Sequence, residues 1–252
     1  MSISDLTVAV LGNGPSLATV DPTCLDVGHT IGMNAAYRFW ERIGWFPDYY
    51  SCLDDVVVES HAGAIAEMLL AGLYKGAFLS GRFFELHPEF RDQPNLLNLD
   101  RVSWSWFQTR GVGNGQSFIY HPAFTTCFPW ITTGSWTIRW AAFLGFSRVH
   151  LYGFDLTYQE QIKEVSSLGG IRLRVDSPIE DNPNYFFPDY QRAGDEFQVA
   201  NPPGVNRELH VDAVKAVVHD FGVQGVGTEL CNGQSESGLA GIKDVPMWVG
   251  HG

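Results

Sequence analysis

A chain of 252 residues, 45% hydrophobic and only 17% charged, can bury a full core and is not an intrinsically disordered sequence. Its formal net charge of −12 argues against holding a nucleic-acid backbone or an anionic membrane surface through charge. Its cysteines, Cys24, Cys52, Cys127 and Cys231, lack metal-ligand spacing, and no apolar run approaches the ~20 residues of a membrane span.

In chain order, the opening Met-Ser-Ile-Ser-Asp has neither the basic nor the apolar region of a secretion signal, so a cytoplasmic protein with reduced thiols is expected. Residues 7–11, Thr-Val-Ala-Val-Leu, predict a short buried strand. It runs into Gly12-Asn13-Gly14-Pro15-Ser16, a turn whose glycines let the backbone approach a ligand closely. Ser16 is placed to cap a following helix, whose amide dipoles favour a phosphate. The usual dinucleotide loop has a third glycine where Leu17 stands, which leaves two alternatives, an unusual nucleotide loop and a plain β-turn. Further strands are predicted at 30–33, 49–53, 77–79, 149–152 and 224–230, and helices at 57–73, 135–144 and 211–221. Thr132 or Thr133 caps the middle helix, which stops at Leu144-Gly145. Strands alternating with helices predict an α/β fold, a Rossmann-like and mostly parallel sheet with helices on both faces, as a single domain over 1–252.

Two stretches break the alternation. Residues 80–130 are aromatic and turn-rich, with Phe83, Phe84, Trp104, Trp106, Phe107 and Trp130, and read as an insertion. Residues 157–207 contain Gly169-Gly170 and Tyr185-Phe186-Phe187-Pro188-Asp189-Tyr190, and read as a lid over a bound substrate.

The crevice of an open parallel sheet lies beyond the carboxyl ends of its strands, near the switch point. The predicted strand ends carry Asn13, Asn34, Asp54-Asp55 and Gly153-Phe154-Asp155. Asparagines offer donors and acceptors that suit a base or ribose, and each is also a common turn former. Among the histidines, His150 reads as structural, His219 as solvent-facing, and His29, His61 and His87 as lacking a local partner. His210 opens the last helix directly after the irregular segment. Imidazole is the commonest general base, while the same position also suits a capping or surface role.

Three segments resemble the bacterial sialyltransferases that modify lipooligosaccharide, which use CMP-sialic acid on a Rossmann-like fold. Gly12-Asn13-Gly14-Pro15-Ser16-Leu17 looks like that family's nucleotide loop, and Asn34 follows the second strand as a family asparagine does. The block from Thr132-Thr133-Gly134-Ser135 to Tyr152-Gly153-Phe154-Asp155 resembles the helix and strand that support its cytidine pocket. The resemblance implies transfer of sialic acid or a related nonulosonic sugar from its CMP donor to a glycan hydroxyl, with inversion, and with no metal or further cofactor. It implies His210 as base and Tyr158 and Tyr185 as partners of the leaving phosphate. Gly12, Asn13, Gly14, Ser16, Asn34, Asp54, Thr133, Gly134, Gly153, Phe154 and Asp155 would then hold the nucleotide.

The chain also departs from that pattern. His210 matches the family histidine at a different spacing, Tyr158 is offset by one, and Tyr190 competes with Tyr185 for the second tyrosine. An expected asparagine after the third strand is replaced around Leu53-Asp54. The first segment also resembles a broader Gly-x-Gly-Pro-Ser-Leu group that includes motility-associated glycosylation factors and a pterin pyrophosphokinase. Two alternatives therefore stand beside the transferase: a Mg-dependent diphosphokinase with Asp54 and Asp55 as ligands, and a non-catalytic nucleotide-binding assembly protein. A homo-oligomer is compatible with all three.

Overall fold

The computed structural model describes residues 6–102, 118–159, 163–180, 182–199, 208–235 and 237–247. The first half of the chain forms β1 (Thr7–Leu11), β2 (His29–Met33), α1 (Tyr37–Ile43), β3 (Tyr49–Cys52), α2 (Asp55–Leu70), β4 (Gly76–Leu79), α3 (Gly81–Leu86) and β5 (Leu96–Asn98). The second half forms α4 (Thr133–Phe143), β6 (Arg148–Tyr152), β7 (Val165–Gly169), β8 (Arg172–Val175), β9 (Glu196–Gln198), α5 (Leu209–Gln224) and β10 (Glu229–Asn232).

The main sheet has seven strands in the order β10-β6-β1-β2-β3-β4-β5, every pair parallel. β1 shows why it sits at the centre. Val8 and Val10 face a core shared with Trp136, Trp140, Val214 and Phe221 of α4 and α5. Ala9 and Leu11 face the opposite core, with Trp40, Ile65 and Phe83 of α1, α2 and α3. A strand covered on both faces is buried along its whole length, as this one is, and apolar from Val8 to Leu11. The α/β fold with helices on both faces is thus as the sequence predicts. Among the described residues, no helix is long and apolar enough to cross a membrane.

The differences are local. The last helix continues through Gln224 and ends on Gly225, whose φ of 64° closes the final turn, so the strand expected at 224–230 begins instead at Glu229. Within 80–130, α3 leads into β5, which extends the main sheet beside β4, whereas Trp104, Trp106 and Phe107 lie outside the described residues. Within 157–207, β7, β8 and β9 form a small antiparallel sheet. It is held to the α1 and α2 side by Arg38 with Asp195, by Glu59 with Arg172, and by the Glu196 amide donating to the Ser60 hydroxyl.

Candidate functional site

From β1 the strands add in one direction to β5, and the chain then crosses back to lay β6 and β10 on the other side of β1. The order therefore reverses between β1 and β6, and the crevice of such a sheet opens at their carboxyl ends. The two loops there are pressed together. The Gly12 amide donates to the Tyr152 carbonyl at 2.7 Å and the Gly14 amide to the Gly153 carbonyl at 3.0 Å. A Cβ at Gly12 would collide with the Gly153 carbonyl, and one at Gly14 with the Asp155 carboxylate, so only glycine permits this approach.

Asp155 accepts from both the amide and the hydroxyl of Ser16, at 3.2 and 2.9 Å. Gln234 locks the pair from behind: its side-chain oxygen accepts from the Gly153 amide at 2.6 Å, and its amide donates to the Ser16 carbonyl at 2.8 Å. These bonds correct two expectations. Ser16 caps no α-helix, because a 3-10 turn (Pro15–Thr19) follows with Gly14 at its cap position. The amides of Gly12, Gly14 and Ser16 are engaged within the protein and so do not form an open phosphate cradle.

Open donors lie instead at the start of α4. Thr132 caps this helix by accepting from the Ser135 amide, and its carbonyl accepts from the Trp136 amide. The preceding amides, of Thr133 and Gly134, meet no acceptor among the described residues and border the cleft. A helix start of this kind favours an anion.

Two connected spaces make up the cleft. The narrow one, about 100 Å³, is bordered by Gly12, Asn13, Gly14, Gly134 and Gly153-Phe154-Asp155. A wider one of about 620 Å³ adjoins it, and Thr133, Tyr158, Tyr185 and His210 line both. The His210 and Tyr158 rings lie 4.5 Å apart, and Tyr185 stacks on Tyr190 at 3.8 Å. Burial, with Asp155 nearby, pushes the Tyr158 phenol up to about 12, and burial raises Tyr185 and Tyr190 as well. At neutral pH these phenols are protonated and able to donate. The Asn13 side-chain amide donates to the Tyr190 hydroxyl at 2.8 Å, while its oxygen is buried with no partner among the described residues.

Not every expected residue reaches the cleft. Asn34 directly follows β2 with φ of 51°, its carbonyl accepting from Tyr50, and it borders neither space. Ser16 stands behind Asp155. Asp54 borders the wide space but caps α2, accepting from the Val56 and Val57 amides. His150 is buried in β6 and His219 is exposed, as expected. The other histidines do have partners: His61 is buried with its ring nitrogen 3.1 Å from the Tyr37 hydroxyl, His29 is 3.5 Å from Asp48, and His87 is 3.0 Å from Glu89.

Gln234 and Asn184 escape the sequence reading. Gln234 stands two residues beyond β10, so the strand-end rule finds it once that strand is placed at Glu229–Asn232. Asn184 borders the narrow space and pairs with the backbone of Gln159, contacts that no spacing rule reveals.

No protein-family model and no curated protein matches the chain. Its fold resembles that of the monofunctional alpha-2,3-sialyltransferase Cst-I from Campylobacter jejuni, with a TM-score of 0.53 and 16% identity over 97% of this chain and 80% of that one. A weaker likeness is to the sialyltransferase CstII from Campylobacter jejuni (TM-score 0.38, 15% identity, 60% of this chain and 65% of that one). Another is to the MAf glycosyltransferase from Magnetospirillum magneticum AMB-1 (TM-score 0.43, 17% identity, 90% of this chain and 31% of that one). The Cst-I likeness shows a shared sialyltransferase-type fold.

Proposed function

We propose that the protein is a glycosyltransferase that moves sialic acid or a related nonulosonic sugar from its CMP donor to a glycan hydroxyl with inversion. The observation carrying this reading is the convergence on one cleft of an imidazole, two buried phenols and an open helix start: His210, Tyr158, Tyr185 and Thr133-Gly134. The shared fold with a sialyltransferase supports it.

In this reading His210 takes the proton of the acceptor hydroxyl as its oxygen bonds to the anomeric carbon. The bond from that carbon to the phosphate oxygen breaks, and its electron pair leaves with CMP. The Tyr158 and Tyr185 phenols and the Thr133 and Gly134 amides donate to the departing phosphate, and each such preorganised donor is worth about 3 kcal/mol. The unpartnered oxygen of Asn13 accepts from the cytosine amine or a ribose hydroxyl, since a buried acceptor left alone is costly. Within 157–207, the lid expected from the sequence, the segment carrying Tyr185 closes over the donor so that transfer outruns hydrolysis.

A single departing phosphate is within reach of these neutral donors, and Asp54 is already committed to capping α2. The reading therefore includes no metal and no cofactor beyond the donor. CMP should raise the melting temperature more than UDP, GDP or ADP, and CMP-sialic acid should be consumed equally well in EDTA. Equal stabilisation by UDP or ADP would sink the cytidine assignment. Loss of activity on chelation, restored by Mg²⁺, would favour the diphosphokinase.

A further inference from the structure

The loop from Gly153 to Gln159 brings Tyr158 to the point where the two halves of the cleft join. Its backbone takes a costly path to get there. Leu156 has φ of 60°, in the left-handed region that a bulky side chain enters only under constraint. The Leu156 side chain packs against the core shared by α4 and α5, and the residue borders the narrow space. Strain of this kind persists only where the surroundings over-determine the backbone, and it collects at functional sites.

Two side-chain amides supply that constraint, one at each end of the loop. At its start, the Gln234 oxygen accepts from the Gly153 amide while the Gln234 nitrogen donates to the Ser16 carbonyl. At its end, the Asn184 oxygen accepts from the Gln159 amide at 2.8 Å, and the Asn184 nitrogen donates to the Gln159 carbonyl at 2.9 Å. Both residues are more than nine-tenths buried. Asn184 is itself fixed, since its backbone amide donates to the Asn182 side chain, which donates in turn to Gln191.

The loops after β1 and β6 do not depend on these amides to stay together. The Gly12 and Gly14 amides and the bonds from Ser16 to Asp155 already join them. Tyr185, next to Asn184, has its own support in the stack on Tyr190. What the two amides add is the placement of the segment between them, and within it Tyr158 is the residue that lines both halves of the cleft.

We infer, on the reading of the cleft as a transferase site, that Asn184 and Gln234 are positioning residues: they clamp the two ends of a strained loop and so aim the Tyr158 phenol at the departing phosphate. A donor already aimed needs no reorientation as charge develops, and a displacement of about 1 Å costs roughly 10²-fold in rate.

Release of CMP from CMP-sialic acid by water tests this without an acceptor, because the same phosphate departs. Rates are taken in single turnover and counted per CMP-binding site, so that partial loss of folded protein drops out. Asn184→Leu and Gln234→Met should each lower the rate by roughly tenfold or more, while the Kd for CMP changes by less than about threefold. Tyr158→Phe, which keeps the ring, should lower the rate by roughly 10²-fold. In the Tyr158→Phe background, either amide substitution should cost less than about threefold more, because the group it positions is already gone. A merely structural role would lower the rate by the same factor in both backgrounds. Fully multiplicative losses, an unchanged rate in any of the three single variants, or loss of CMP binding in either amide variant would overturn the inference and leave the transferase reading standing. Failure of the parent protein to bind CMP or to release it from CMP-sialic acid would remove that reading, and the clamp with it.

Discussion

His210 and Tyr158 face each other at 4.5 Å between rings, where the narrow and wide halves of the cleft join. In the proposed reaction a base at that junction would touch the acceptor, and the nucleotide would lie mainly against the narrow half. His210→Ala should therefore lower turnover by roughly 10²–10⁴-fold while leaving CMP affinity nearly unchanged, as single-turnover kinetics and calorimetry would show. Near-normal turnover would return His210 to a packing role. A different histidine reports on the fold. Burial pulls the pKa of His61 down to about 4, against about 6.5 in an unfolded chain. Below pH ~6.5 the unfolded chain binds a proton that the folded protein refuses, so the contribution of His61 is full above that pH. It is lost as pH falls through about 4, amounting in all to about 3 kcal/mol. His150, also pulled down to about 4, acts in the same direction. His61→Gln keeps a partner for the Tyr37 hydroxyl but cannot titrate. Its urea midpoint should fall less between pH 7 and 4.5 than the parent's, by the slope of about one proton. Parallel pH profiles for the two proteins would refute this.

The cleft depends on two helices that start at it, α4 with Thr133-Gly134 and α5 with His210. Arg139 of α4 and Asp220 of α5 pair at 2.6 Å with side chains only 2% and 8% exposed, and Arg139 also donates to the Ala123 carbonyl. The pair fixes the spacing between the proposed phosphate donors and the proposed base. Arg139→Met strands a buried carboxylate and should cost about 3–5 kcal/mol, while Arg139→Met/Asp220→Leu should recover much of that loss. Denaturant midpoints for the single and double variants decide it; a double variant no more stable than the single would show that the charge pairing is not what matters. Nothing in the sequence announces this pair, because its members stand 81 residues apart and each looks like an ordinary helical polar residue. The legible elements carry strong local signals. β1 is a continuous apolar run ending in glycine, and α4 opens on a threonine cap. α1, α3 and β5 have seven, six and three residues, too short for a periodic pattern to stand out. β7, with Ser166 and Ser167, stands away from the core and shows no alternation. Gln234 stays hidden because the expected strand overruns the helix that precedes it.

Across the whole molecule, the small antiparallel sheet connects the outer face of the main sheet to the cleft. Most of its ion pairs are half-exposed, such as Arg172 with Glu59, and are individually worth little. Arg38 with Asp195 is different: both side chains are about one-tenth exposed, the guanidinium meets both carboxylate oxygens, and it also donates to the Tyr190 carbonyl. Tyr190 in turn accepts from Asn13 on the loop after β1 and stacks on Tyr185. A continuous set of contacts thus runs from the small sheet through Tyr190 to the narrow end of the cleft. The proposed donor would tighten the structure in two ways: by holding the Asn13 loop directly, and by pinning Tyr185 over its phosphate. Binding of a non-hydrolysable CMP-sialic acid analogue should therefore slow hydrogen exchange at 184–190 and 153–159, because opening of those segments would first have to release the ligand. β7, which is largely exposed and borders neither part of the cleft, should exchange as before. Protection at 153–159 without any at 184–190 would mean that the segment carrying Tyr185 does not close on the donor, and would leave Tyr158 as the phenol facing the leaving phosphate.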